Sequence, residues 1–342
     1  MFKDIKQVMK DSVLYGIGNV AVKLVGFILI PLYTDAEYFS TADYGLMGLL
    51  EVTSQILIAV MGLSLYSGLI RWYWDAEYRD KQKTIFFTTL LFTILTSLCI
   101  GSVLWLNIDE LSALLVQQEG YSLGGELPYI LQLLILTSML GAVVEVPQNL
   151  LRLQRKPIYY SLTNIVRLFA TLVLTIYFTI SLHRGVSGVY EAQLVGIVIQ
   201  LLMVLPLVIK NSSCRVDRKC TIQLLVYSYP LVFPAIVGSL LTVFDRYIIN
   251  HFQGLDDVGF YSLGYKVGNT LKVFIVTSVQ LALTPLLMKK MNDPDNKRFY
   301  SKVLTYFSFG LMFCALGLNL FSREGIVWVT TNPDYIEALY VI

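Results

Sequence analysis

The sequence predicts an all-α integral membrane protein of about ten spans with a cytoplasmic N-terminus, and three observations carry that prediction. Of 342 residues, 56% are hydrophobic and only 15% charged, where soluble domains carry about 25% charged residues; mean hydropathy is +0.64. The apolar residues fall into runs long enough to cross a bilayer, for which a helix needs about 20 residues. Lys and Arg then occupy every other gap between those runs. Lipid offers no partner to an open backbone group, so spans must be helices or closed barrels. The unbroken aliphatic stretches exclude barrel strands, which alternate over about ten residues.

The runs are 11–33, 44–70, 84–106, 128–151, 158–182, 187–209, 223–249, 258–287 and 301–321. The first follows Lys3, Lys6 and Lys10. It exceeds the roughly 7–15 apolar residues of a signal peptide and no small-residue cleavage site closes it, so it reads as a retained span. A tenth run begins near Ile336 and stops at Ile342. That is too short to cross, so the chain is expected to be a fragment or truncated product.

Orientation follows from the cations. Segments 1–10, 71–83, 152–156, 210–219 and 289–302 hold nineteen of the 26 Lys and Arg, and the opposite loops hold only Arg184 and Arg323. A wrong span count would scramble this alternation, so it supports the spans as well as the orientation. The longest loop, 107–127, carries Asp109, Glu110, Glu119 and Glu126 without a cation, as an external loop should. Trp72, Tyr73, Trp74 and Tyr78 beside Arg71 read as a cytoplasmic interfacial belt.

Several function classes drop out. The net charge of +2 carries no nucleic-acid signal. Cys99 and Cys314 lie in apolar runs, and Cys214 and Cys220 in a basic loop with no His to complete a metal site. Free thiols, with no metal and no cofactor, are expected. His183 and His251 are the only histidines and stand far apart. No paired-histidine motif, Gly-rich phosphate loop or large external loop offers a catalytic site.

An offset of 214 residues places Tyr33 on Tyr247, Asp43 on Asp257 and Gly45 on Gly259. Each copy reads as a span, a short acidic outer loop, then Asp-x-Gly opening the next span. Six spans lie between the copies. That even number predicts two parallel repeats about an axis along the membrane normal. The expected bundles are residues 1–210, with six spans, and 211–342, incomplete.

On these residues the chain resembles the polysaccharide flippases (O-antigen, Wzx-type) of the multidrug/oligosaccharidyl-lipid/polysaccharide exporter superfamily. The resemblance rests on Pro31-Leu32-Tyr33-Thr34 followed by Asp43-Tyr44-Gly45-Leu46, on Asp245-Arg246 followed by Val258-Gly259-Phe260-Tyr261-Ser262-Leu263, and on Tyr73-Trp74-Asp75-Ala76-Glu77. Two departures stand out: Asp35 to Ser40 is longer and more acidic than the family's turn, and the family has about 12 to 14 spans. The resemblance implies a multi-pass protein of the cytoplasmic (inner) membrane. It would flip an undecaprenyl-pyrophosphate-linked oligosaccharide outward by alternating access, for cell-surface polysaccharide or lipopolysaccharide synthesis. Lipid-linked oligosaccharide, the bilayer and other polysaccharide-assembly membrane proteins are the implied partners. A drug/cation antiporter of the same superfamily, with a carboxylate-rich cavity, is the alternative transporter. A membrane glycosyltransferase or polymerase is the alternative from another class.

A charge within a span costs about 2.5–3.5 kcal/mol on insertion scales, so each is a functional candidate. Lys23 lies in span one, Arg167 near the middle of span five with Asn164 one turn away, and Lys266 and Lys272 in span eight. These five are expected to bind substrate, although Lys266 lies close enough to the outer surface to snorkel. Glu51 in span two and Glu145 in span four are candidates for ion coupling or for neutralising a neighbouring cation. Asp245 and Arg246, near the outer end of span seven, are expected to form a local or interhelical pair, with an outer gate as the second reading. Cysteine-accessibility labelling should find Gln117 and Gln253 outside and Asn211 and Asn296 inside; labelling of Asn211 and Gln117 from one side would break the assignment.

Overall fold

The computed structural model describes residues 26–115, 125–213, 215–276, 279–280 and 295–342. The side chains of residues 76, 77, 114, 243, 273 and 274 lie outside that description. Among the described residues there are helices and no strand. Seven helices are long and apolar enough to cross a membrane: Thr41–Gly62, Tyr78–Leu106, Leu127–Leu153, Pro157–Ser181, Gly185–Asn211, Arg218–Thr242 and Asn296–Leu320. They coincide with expected spans two to seven and nine. Span one, with Lys23, lies almost wholly outside the described residues, and span eight partly so.

In chain order the α-helices are α1 (Ile30–Tyr33), α2 (Thr41–Gly62), α3 (Leu65–Trp72), α4 (Gln82–Leu106), α5 (Ile108–Leu115), α6 (Leu127–Leu153), α7 (Pro157–Ile176), α8 (Gly185–Asn211), α9 (Arg218–Phe252), α10 (Leu255–Leu271), α11 (Asn296–Leu320) and α12 (Ser322–Val329). Their starts follow local chemistry. Ser40 and Asp43 form a reciprocal capping box at α2, satisfying two backbone donors that the first turn leaves open. Asp217 caps α9 by accepting from the amides of Lys219 and Cys220. Pro157 opens α7, where its missing N–H costs nothing.

Three details depart from the sequence reading. Expected span two is not one helix: Leu63 and Ser64 both adopt left-handed backbone, with φ of 44° and 50°, and α3 leaves α2 at a corner. The external stretch 107–127 is not all loop, since its acidic start builds α5 with Asp109 and Glu110 in the first turn, where carboxylates favour the helix dipole. Near Ile336 the chain forms a 3-10 helix, Pro333–Val341, rather than the first turns of an α-helix. Its Tyr335 is fully buried, edge-on to Tyr44 and Phe260.

Helix α2 is the hub. It packs against α10 on one side and α6 on another, and α9 lies along it. Helix α6 in turn packs on α4 and α8, and α7 lies on α8. Among the described residues the α2–α10 crossing brings two helix backbones into direct contact. A Cβ added at Gly45 would overlap the carbonyl oxygen of Leu255, and one at Gly259 would sit 2.6 Å from that of Thr41. Small residues permit this approach, as they do between helices in lipid. The lipid side is equally plain on α7, where Ile158, Leu162, Ile165, Phe169 and Val173 are exposed at helical spacing. Helix α11 buries no residue.

Gly45→Ala should therefore lower the melting temperature of the purified protein. Overpacking typically costs about 1–3 kcal/mol, and here the obstacle is backbone. Gly310→Ala, on α11 with nothing within 4 Å of the new methyl, should be neutral or slightly stabilising. Equal melting temperatures for the two variants would refute the crossing.

Candidate functional site

Among the described residues two polar groups stand out between the apolar helices. The first joins α7 and α8. Arg167 is ten residues into α7, which at 1.5 Å per residue places it about 15 Å from the helix start, half the thickness of a roughly 30 Å hydrocarbon core. Its guanidinium is half-buried and donates to Gln200 Oε1 at 3.1 Å. Gln200 Nε2 donates to Asn164 Oδ1 at 3.0 Å, and Asn164 Nδ2 donates to the carbonyl of Tyr160 at 2.9 Å. Gln200 is 1% exposed. Gln148 on α6 donates to Thr163 Oγ1 at 3.0 Å, and its own Oε1 is buried without a partner. Among the described residues no carboxylate pairs with Arg167.

The second group surrounds the outer half of the α2–α10 crossing. Lys266 Nζ lies 5.7 Å from the Tyr44 ring centroid, with Glu51 and Tyr33 in electrostatic reach. The Lys266 side chain is thus turned inward against α2, and it does not snorkel. Thr53 and Tyr247 share a hydrogen bond of 2.7 Å, and Thr41 bonds Asp256 across the crossing. Arg246 is buried, donates through Nε to Ser262 Oγ at 3.2 Å and stacks over Tyr265 at 4.9 Å. Asp245 accepts from its neighbour's backbone N–H at 2.9 Å and from the Tyr261 hydroxyl. Asp245 and Arg246 thus form no ion pair with each other, and of the local and interhelical readings it is interhelical contacts that the structure shows. Each residue instead reaches α10 separately, through a hydroxyl or a ring face, because consecutive helical residues do not face each other.

The remaining candidates stand apart. Glu145 lies beside Gly62 at the end of α2, and the cation acting on it is Arg152, two turns along its own helix. Arg167 is not its partner. Lys272 opens a single π-turn, Lys272–Val276, after α10, a geometry often found at functional sites. Lys23 lies outside the described residues. The structure thus joins Arg167 with Asn164 through Gln200, brings Lys266 within electrostatic reach of Glu51, and turns Asp245 and Arg246 of α9 toward α10. Gln200, Gln148 and Thr163 were missed because attention to charge passes over uncharged polar residues. The two glutamines, each within a long apolar run, were the available signal.

The arrangement can hold an anion. It presents a mid-membrane guanidinium with donor capacity left over and amide neighbours that orient it without neutralising it. Among the described residues no group of three or more His, Cys, Asp or Glu could hold a metal ion.

No curated protein matches the chain. Among solved structures it is similar to an inward-facing conformation of a multidrug resistance MATE family transporter of the MOP superfamily, with TM-score 0.67 at 16% identity over 96% of this chain and 76% of that one. It is similar also to the MATE multidrug transporter DinF-BH in a ligand complex, with TM-score 0.69 at 16% identity over 95% and 78%. An outward-facing MATE family conformation gives 0.63 at 18% identity over 98% and 77%. At such identities the likeness establishes the fold. The family comes from the sequence: residues 8–291 match the polysaccharide biosynthesis protein family, to which this chain belongs, and its fold is that of the MOP-superfamily transporters.

Proposed function

We propose that this transporter flips an undecaprenyl-pyrophosphate-linked oligosaccharide from the inner to the outer leaflet of the cytoplasmic membrane, by alternating access between bundles formed by residues 1–210 and 211–342. Other membrane proteins of polysaccharide assembly would supply and collect the lipid. The observation that carries the reading is Arg167: a guanidinium at mid-membrane depth whose described partner is the amide of Gln200, not a carboxylate. On insertion scales Arg167, Lys23 and Lys272 together cost roughly 8–10 kcal/mol, and a diphosphate substrate is a reason to keep them. Arg suits the task because its planar fork grips phosphate in two places, whereas Lys is a point charge.

In this reading Arg167, oriented by Gln200 and Asn164, shares the diphosphate with Lys23 and Lys272, and Lys266 adds positive potential from the outer side. Glu51 and Glu145 are the carboxylates able to couple transport to an ion. Asp245 and Arg246, tied to Tyr261, Ser262 and Tyr265, serve as an outer gate. The attraction stays moderate, because a site that held the diphosphate tightly would not release it outside. A drug/cation antiporter would place a carboxylate where Arg167 stands.

Arg167→Ala should abolish most translocation of lipid-linked oligosaccharide while the protein still inserts, and Arg167→Lys should keep part of it. The measurement compares both variants with the parent in membranes holding matched amounts of protein. Parental transport by Arg167→Ala would leave Arg167 a structural residue and overturn the reading.

A further inference from the structure

The corner between α6 and α7 holds a cavity of about 580 Å³ lined by Trp74, Leu153, Gln154, Arg155 and Lys156. It lies in the basic segment between the two helices, which the distribution of Lys and Arg assigns to the cytoplasmic side. We propose that it is a seat for the phosphate headgroup of an anionic lipid of the inner leaflet, a site independent of the transported substrate.

The corner is built and held. Helix α6 closes with Lys156 N donating to the carbonyl of Leu151 at 2.9 Å and Arg155 N to that of Arg152 at 3.0 Å. That closing pair of bonds normally carries glycine at the left-handed position. Here Arg155 occupies it, with φ of 52°, a backbone that costs an L-residue energy and that glycine would adopt freely. The Gln154 side chain anchors the corner by donating to Tyr73 Oη at 3.1 Å and to Asn211 Oδ1 at 2.9 Å. Its own Oε1 accepts from Lys156 Nζ at 2.7 Å, which draws that ammonium to the cavity. Among the described residues no carboxylate lines the cavity. Both cations are exposed, so neither is used up in packing.

Charge complementarity selects an anion, and the walls select a lipid. Trp74 is 63% exposed and brings an indole of the kind that settles at headgroup depth. Leu153 adds an apolar wall. Directly past Lys156 begins the exposed row of α7, with Ile158 at 72% and Phe169 at 66% exposed. A phosphate over Arg155 and Lys156 therefore leaves its acyl chains running down that row into the bilayer. A soluble phosphate would use the cations and ignore the row.

The test uses the full chain purified in detergent doped with phosphatidylglycerol or with phosphatidylcholine, and native mass spectrometry to measure the affinity of bound lipid. The parent should favour phosphatidylglycerol. Removing either cation, by Arg155→Gly or Lys156→Gln, should weaken that binding about fivefold, and removing both about thirtyfold, the factors for roughly 1 kcal/mol per cation near an anionic surface. Glycine suits the left-handed backbone better than arginine, so Arg155→Gly should melt no lower than the parent; lost binding would not be a folding defect. Arg155→Lys should retain binding. Undiminished phosphatidylglycerol binding by the double variant would overturn the proposal. So would an equal loss in Arg79→Gln, a basic change outside the cavity, or displacement of the lipid by millimolar inorganic phosphate.

Discussion

Where Gly45 of α2 meets Gly259 of α10, two helix backbones touch with no side chain between them. In lipid the hydrophobic effect gives helices no reason to associate, so packing must come from close approach and from polar contacts across the interface. This crossing supplies both. The missing Cβ atoms let α10 ride against α2, and the Thr41–Asp256 hydrogen bond fixes its register. The contact is also reciprocal. Gly45 faces the carbonyl of Leu255, and Gly259 faces that of Thr41; each of these positions maps onto its counterpart at the 214-residue offset. Reciprocal contacts of this kind are what a two-fold relation produces at its axis.

From that crossing the polar groups take their places. Because α2 is shared by α6, α9 and α10, residues on its two faces address different neighbours. Tyr44 faces Lys266, whereas Ser54 meets Ser138 of α6 at 2.9 Å. The corner at Leu63 and Ser64 then carries α3 away from the α2 axis to meet the inner half of α9, where Gly68 lies against Ser228 and Leu224. Helix α9 is thus held toward both ends by one continuous segment, α2 and α3.

The spans were legible because their cause is local: an apolar run of sufficient length, bounded by cations on one side of the membrane. The Asp-x-Gly repeat was legible for a related reason, since both copies are helix starts with their own chemistry. What the sequence hid depends on neighbours. Nothing in Gly62-Leu63-Ser64 demands two left-handed residues; the corner exists because α3 has α4 and α9 to pack against. Arg167 was visible as a charge in the wrong solvent, yet its partner was not, because Gln200 becomes a partner only once α8 presents that face to α7. Asp245 and Arg246, adjacent in the chain, looked like a pair and are not one. Their side chains leave the helix about 100° apart, and α10 supplied separate partners for each.

The difference between Arg167 and the cations outside the apolar core bears on mechanism. Lys81 forms a salt bridge with Asp217, and Arg184 pairs with Glu191. The Asp217 carboxyl is held below its usual range, first by the Lys81 hydrogen bond and then by the amides of Cys220 and Lys219, so that pair stays charged across the physiological range. These are anchors, at places where water limits their worth. A carboxylate beside Arg167 at mid-membrane would be another matter, because Coulomb attraction rises steeply as the local dielectric falls, and an arriving anion would have to compete with a tethered one. An amide partner avoids that competition. Gln200 fixes the guanidinium's direction and satisfies one donor, and because it is neutral the positive potential remains for a ligand. The cost is a cation in the bilayer with no carboxylate paired to it among the described residues, a cost the fold carries more readily when an anion spends part of each cycle beside it.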